Sequence, residues 1–213
     1  PPSVHCRAAG GRPMTWVKVC GLTRREDVEA AVVAGADAVG FVIAPESPRR
    51  TDPATVAELA AGVDATTVLV TVDLEPAELI DAVAIAGVDG VQPHGRHSDV
   101  AATTARDLGL FVLRPVAVRD YLDLPALPSE VIPLLDTYRP GRHGGTGETF
   151  DWELAERVPG PFVMAGGLGP DNVAAAVRSV QPWGVDASSR LEAAIGVKDH
   201  SKVTAFVREA KQA

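Results

Sequence analysis

Polar residues that close short apolar runs are the places where this chain can do chemistry. Reading only those positions gives Cys20, Arg49 in the loop beyond the second run, Asp73, Gln92 with His94, Arg114, Asp136, Gly166 with Gly167, and Asp186 followed by Ser188 and Ser189. A thiol and carboxylates can move protons, while a guanidinium, amides and hydroxyls can hold an anion. Taken singly, each has a plainer reading. A lone cysteine is more often core packing, Asp73 and Arg114 suit strand-end caps or ion pairs, and His94 suits a hydrogen-bonded loop. Their recurrence at the same end of successive runs marks them as a set.

The stretch Ala-Gly-Gly-Leu-Gly-Pro-Asp-Asn at 165–172 points to a more specific chemistry. Gly166 and Gly167 lack a Cβ and stand just before a helical segment, so backbone N–H groups and a helix N-terminus can close around a phosphate. The formal charge of −8 means that an anionic ligand must be held by such local donors. The same acidic balance disfavours nucleic acid and an anionic membrane surface as partners.

The elements that must position these residues follow one cadence. Apolar or β-branched runs at 16–20, 38–43, 67–72, 90–92, 110–115, 131–136, 162–165 and 184–187 predict eight strands. Helical spacing at 24–34, 53–62, 76–86, 98–108, 170–180 and 201–211 predicts the helices between them, with weak, distorted helices at 118–127 and 151–158. Thr23 with Glu26 makes a capping-box pattern, Asp52 precedes Pro53, and Asp171 follows Pro170 in a first turn. Alternating strands and helices require a parallel sheet. Eight units filling the chain favour an α/β fold of one closed (β/α)8 TIM barrel over an open sheet, whose first turn would more often read G-x-G-x-x-G. In such a barrel the C-terminal strand ends form the active face. Residues 1–13 read as an irregular leader and 14–213 as a single barrel domain.

At 213 residues, 46% hydrophobic and 23% charged, the composition is that of an ordinary folded domain. No apolar run approaches the ~20 residues of a membrane span, and the first residues lack the apolar stretch of a signal peptide. A cytoplasmic protein with no membrane partner is expected. Cys6 and Cys20 stand at unrelated places, so neither a disulfide framework nor a metal site is expected.

Eight segments together carry a family resemblance. They are Val-Lys-Val-Cys-Gly-Leu-Thr at 17–23, Gly-Ala-Asp-Ala-Val-Gly-Phe-Val at 35–42, Ser-Pro-Arg at 47–49, Val-Gln-Pro-His-Gly at 91–95, Leu-Leu-Asp at 134–136, Gly-Gly-Thr-Gly-Glu-Thr-Phe-Asp-Trp at 144–152, Ala-Gly-Gly-Leu at 165–168 and Val-Asp-Ala-Ser-Ser at 185–189. In this order and spacing the chain resembles the phosphoribosylanthranilate isomerases of tryptophan biosynthesis. The resemblance implies an Amadori rearrangement of a phosphorylated aminoaldose, with no cofactor and no metal, in a monomer or homodimer. It makes Cys20 the general base and Asp136 the general acid. It assigns the anthranilate carboxylate to Arg49 and the phosphate to Gly166, Gly167, Ser188 and Ser189. Lys18, Gln92, His94, Gly145 and Asp186 complete the substrate-binding set.

The residue chemistry sets two requirements on that assignment. An ordinary thiol is only about 3% thiolate at neutral pH, so Cys20 needs a nearby cation, and Lys18, two residues earlier on the same strand face, can supply it. An ordinary aspartic acid is protonated about one time in a thousand, so burial or an anionic substrate must raise Asp136. Four positions depart from the family pattern: Asp73, Pro93 where Leu is usual, Glu148 for a frequent Lys, and Arg190 for a glycine. Arg190 would either crowd the phosphate loop or pair with the phosphate itself. Two rivals stand beside this reading. The related ribotide isomerase of histidine biosynthesis, or a bifunctional relative, uses an aspartate at the end of strand one, and a catalytically weak barrel would only bind phosphate.

Overall fold

A computed structural model of the chain describes residues 14–119, 121–137 and 149–213. The leader at 1–13, Gly145 and Glu148 lie outside the described residues. Eight parallel strands close into a barrel: β1 Trp16–Val19, β2 Ala38–Val42, β3 Thr66–Val72, β4 Gly90–His94, β5 Phe111–Val118, β6 Val131–Thr137, β7 Val163–Met164 and β8 Gly184–Ala187. Closure comes from β1 pairing with β8, with Trp16 opposite Gly184 and Lys18 opposite Asp186. No barrel strand is left with a free edge, and the expected (β/α)8 architecture is the observed one.

Side chains alternate across each strand, so every strand feeds two layers. Inward residues such as Trp16, Ala38, Val68, Leu113, Leu134 and Val163 form an apolar plug in the lower barrel. Trp16 stacks on Trp183 with ring centroids 4.9 Å apart and closes the floor. Outward residues such as Val17, Val19, Phe41 and Val185 pack with Val28, Leu59, Val177 and Phe206 of the surrounding helices.

The helices are α1 Arg25–Val33, α2 Pro53–Ala60, α3 Pro76–Ala86, α4 Ser98–Asp107, α5 Val173–Val180 and α6 His200–Gln212. Asp52 caps α2 as its sequence indicates, accepting from the N–H groups of Ala54 and Thr55 ahead of Pro53. Thr23 and Glu26 form no capping box: the Thr23 hydroxyl donates to the Gly196 carbonyl, and Glu26 pairs with Arg24. A capping box forms instead between Glu75 and Glu78. Helix α5 starts at Val173, later than the Pro170 pattern suggests, because Asp171 is drawn to Arg190.

Between β5 and β6 no helix forms among the described residues, and a 3₁₀ turn, Trp152–Arg157, takes the helix position after β6. After β8 the chain makes a small antiparallel hairpin, β9 Glu192–Ala194 and β10 Val197–Lys198. Its two charged residues reach back to the barrel mouth.

Candidate active site

On β1 the inward column reads Trp16, Lys18 and then Cys20, just beyond the strand, so the barrel interior changes from apolar to polar within one side chain. Lys18 is fully buried. A buried ammonium persists only when paired. Its Nζ donates to Asp186 Oδ2 at 2.9 Å and to Gln92 Oε1 at 2.8 Å. The Gln92 amide nitrogen in turn lies 3.0 Å from His94 Nε2. A polar chain therefore crosses the barrel from β8 through β1 to β4. Pro93 does not disturb it, because the β4–β5 pairing ends below it at Val91 and Val112.

Cys20 and Asp136 feel the same two charges. Burial pushes the Cys20 thiol above its ordinary pKa; Lys18 pulls it down, Asp186 pushes it up again, and Lys198 adds a smaller downward pull. The cation expected from Lys18 is present but outweighed. Burial of the Asp136 carboxyl, with Asp186 next, raises its pKa to about 7, against the Thr137 N–H and Lys18. A large fraction of Asp136 is therefore protonated at neutral pH, as a general acid requires. Burial would lower Lys18, yet Asp186 and the Cys20 sulfur hold it above the ordinary lysine value.

Glycines bring these groups together. A Cβ on Gly166, which sits at φ +80°, would fall 2.9 Å from Asp136 Oδ1 and collide with the Thr137 hydroxyl. Gly21, at φ +72°, passes between Arg49 and Ser188, where a Cβ would meet Arg49 Cδ at 2.6 Å and Ser188 Oγ at 2.7 Å. Only residues without a side chain fit these two turns.

Arg49 is not isolated in its loop. Its Nε and Nη2 donate to the Glu192 carboxylate at 2.6 and 2.8 Å. Lys198 Nζ also reaches Glu192, at 3.2 Å, and donates to the Ser188 carbonyl at 3.0 Å. Glu192 and Lys198 are site residues that sequence reasoning missed. The available signal was a Glu and a Lys bracketing the otherwise uncharged stretch Ala-Ala-Ile-Gly-Val.

Arg190 is tied to the loop after β7. Nη1 donates to the Gly167 carbonyl at 2.8 Å, and Nη2 spans both Asp171 oxygens at 2.8 and 2.7 Å. Ser189 opens a 3₁₀ turn, Ser189–Leu191, on the same rim. For Asp73 and Arg114 the plainer readings hold. Asp73 accepts the Arg96 backbone N–H, and Arg114 pairs with Asp99 of α4 at 2.8 Å. An open depression of about 1130 Å³ lies at the opposite, N-terminal end, lined by Met14, Asp37, Asp64, Trp183 and Lys211 among others, and shares none of the mouth residues. Among the described residues no His, Cys, Asp and Glu cluster could hold a metal ion, and no helix is long and apolar enough to cross a membrane.

Residues 17–209 match a family model described as N-(5′-phosphoribosyl)anthranilate (PRA) isomerase. An N-(5′-phosphoribosyl)anthranilate isomerase of Chromohalobacter salexigens is 44% identical over 207 residues, covering 92% of this chain and 93% of that protein. The enzyme of the same name from Rubrobacter xylanophilus is 42% identical over 205 residues, covering 93% and 100%. The crystal structure of phosphoribosyl anthranilate isomerase from Thermotoga maritima superimposes with a TM-score of 0.82 at 33% identity, covering 94% of this chain and all of that one. A crystal structure of such an isomerase in complex with reduced 1-(o-carboxyphenylamino)-1-deoxyribulose 5-phosphate superimposes with a TM-score of 0.78 at 32% identity, again over 94% and 100%.

Proposed function

The chain belongs to the N-(5′-phosphoribosyl)anthranilate isomerase family, and on that premise we propose that Cys20 and Asp136 divide the proton transfers of its reaction. It isomerises N-(5′-phosphoribosyl)anthranilate to 1-(o-carboxyphenylamino)-1-deoxyribulose 5-phosphate in tryptophan biosynthesis. The reaction is internally redox-balanced, since C1′ is reduced as C2′ is oxidised. It therefore calls for an acid and a base rather than a cofactor.

Asp136 gives its proton to the furanose ring oxygen, which opens the ring to a Schiff base. Cys20 takes the C2′ proton, and the resulting enolamine relaxes to the aminoketose. The observation that carries this division is the Lys18–Asp186 pair between the two groups: Asp186 helps keep Asp136 protonated, while Lys18 favours the Cys20 thiolate. Asp186 Oδ1 is buried without a protein hydrogen-bond partner and is the acceptor available to a sugar hydroxyl. Gln92 and His94 line the same wall. Arg49, with Nε and Nη2 on Glu192, turns its remaining edge to the anthranilate carboxylate. The Gly166–Gly167 and Ser188–Ser189 loops take the phosphate.

We read 14–213 as one barrel domain behind a leader at 1–13, acting in the cytoplasm as a monomer or homodimer. The Thermotoga maritima relative is described as dimeric. Turnover of freshly prepared phosphoribosylanthranilate, followed by the loss of anthranilate-type fluorescence, tests the whole reading. Wild-type protein should turn over, and Cys20→Ser and Asp136→Asn should each lower kcat by about 10²–10⁴ while still binding the reduced product analogue. Wild-type turnover in either variant would remove that residue from the mechanism.

A further inference from the structure

We propose that Arg190 is a positioning residue for phosphate: it fixes the direction of the Gly167 peptide, so that the Leu168 N–H on the other side of that peptide faces the ligand. The inference rests on reading the β7 and β8 loops as the phosphate site. In a planar trans peptide the C=O and the following N–H point opposite ways. The Gly167 carbonyl is held by two donors, Arg190 Nη1 at 2.8 Å and Asn172 Nδ2 at 3.0 Å. Gly167 itself, at φ +65°, restrains the peptide little, so these donors set its direction.

The guanidinium is positioned in its turn. Asp171 grips Nη2 through both carboxylate oxygens, at 2.8 and 2.7 Å. Gly169 leaves room beneath it, since a Cβ there would lie 3.2 Å from Arg190 Cβ and Nε. The chain of contacts therefore runs from Asp171 through Arg190 to the Gly167 peptide. The β8 loop repeats the arrangement with a different cation. Lys198 Nζ and the Leu191 N–H hold the Ser188 carbonyl at 3.0 and 3.1 Å, which turns the Ser189 N–H the other way. Both loops thus offer N–H groups whose carbonyl partners are tied back by a cationic side chain, which is itself paired with Asp171 or Glu192.

Steady-state kinetics with phosphoribosylanthranilate, and competitive inhibition by inorganic phosphate, test this on Arg190→Gly, Asp171→Ala and the double variant. Arg190→Gly should raise KM and the phosphate inhibition constant together by about tenfold, with the larger part of the loss in KM rather than kcat. Asp171→Ala, a change at an exposed side chain, should reproduce part of that rise. The double variant should be no worse than Arg190→Gly alone, because both residues act on one peptide. A KM that falls in Arg190→Gly would overturn the inference in favour of crowding. A KM raised by Arg190→Gly but unchanged by Asp171→Ala would overturn it in favour of direct contact between the guanidinium and phosphate. Failure of inorganic phosphate to compete in the wild type would instead show that the loops are not a phosphate site, and the inference would fall with that reading.

Discussion

Gly40 of β2 and Cys20 beyond β1 are packed so closely that a Cβ on Gly40 would stand 2.8 Å from the sulfur. The same atom would lie 3.0 Å from Lys18 Cε. One absent methyl group therefore makes room for both the thiol and the buried cation.

Gly40→Ala should displace Cys20 and strain the Lys18 pairing together. Its backbone lies outside the left-handed region, so the effect is steric. We expect a loss of about 1–3 kcal/mol in stability and at least about tenfold in kcat. Urea unfolding and turnover measured on the same preparation check this. Unchanged values for both would mean that the β1–β2 contact yields without effect.

The protonation states of the pair predict an unusual pH profile. In the free enzyme the acid, Asp136, titrates near 7, while the base, Cys20, titrates above its ordinary value. The active form, protonated Asp136 with thiolate Cys20, is then a minor tautomer of the singly protonated pair. Its fraction of the enzyme rises as the first proton leaves. After correction for substrate ionisation, kcat/KM should increase from about pH 5.5 to a plateau near pH 8, and fall only above the thiol pKa. A decline between about pH 6 and 8 would mean that Cys20 is already thiolate at the lower pH.

Asp136 should also depress stability where it is charged. Its native pKa of about 7 lies above the ordinary carboxyl value, so between the two the native state binds more protons than the unfolded state. The stability from this group is fully present below about pH 4 and is lost as pH rises to about 7. Asp136→Asn cannot ionise there. Its Tm relative to wild type should therefore be more favourable at about pH 8 than at about pH 5, and an equal difference at both would contradict the raised pKa.

Lys18→Met would leave Asp186 buried without its cation. Breaking such a pair is expected to reduce stability by about 3–5 kcal/mol. Asp186→Asn added to it should restore part of the loss, because the uncompensated charge is then gone. A double variant no more stable than Lys18→Met alone would show that packing, and not charge, dominates at this position.

The barrel was legible because its signals are local and repeat. Each strand announces itself by a short apolar run, and the polar residue that ends it falls at the mouth, which is how Cys20, Gln92, Asp136 and Asp186 were found together. The Arg49–Glu192 contact joins residues 143 positions apart and depends on a hairpin that only the folded barrel brings to the rim. The same limit hides the Arg190–Asp171 clamp, since either side chain alone reads as a solvated charge. Two helix-start patterns failed for a related reason: Thr23 and Asp171 have good capping chemistry, but tertiary partners claim both side chains.

Pairing of β1 with β8 also has a consequence for synthesis on the ribosome. The strand carrying Lys18 emerges first, and the Asp186 that neutralises it follows 168 residues later. Until β8 is made, the nascent chain holds an ammonium that has no counter-ion to accompany it into the barrel. Closure of the sheet and neutralisation of its interior are thus a single late event, and an interrupted translation product lacks both.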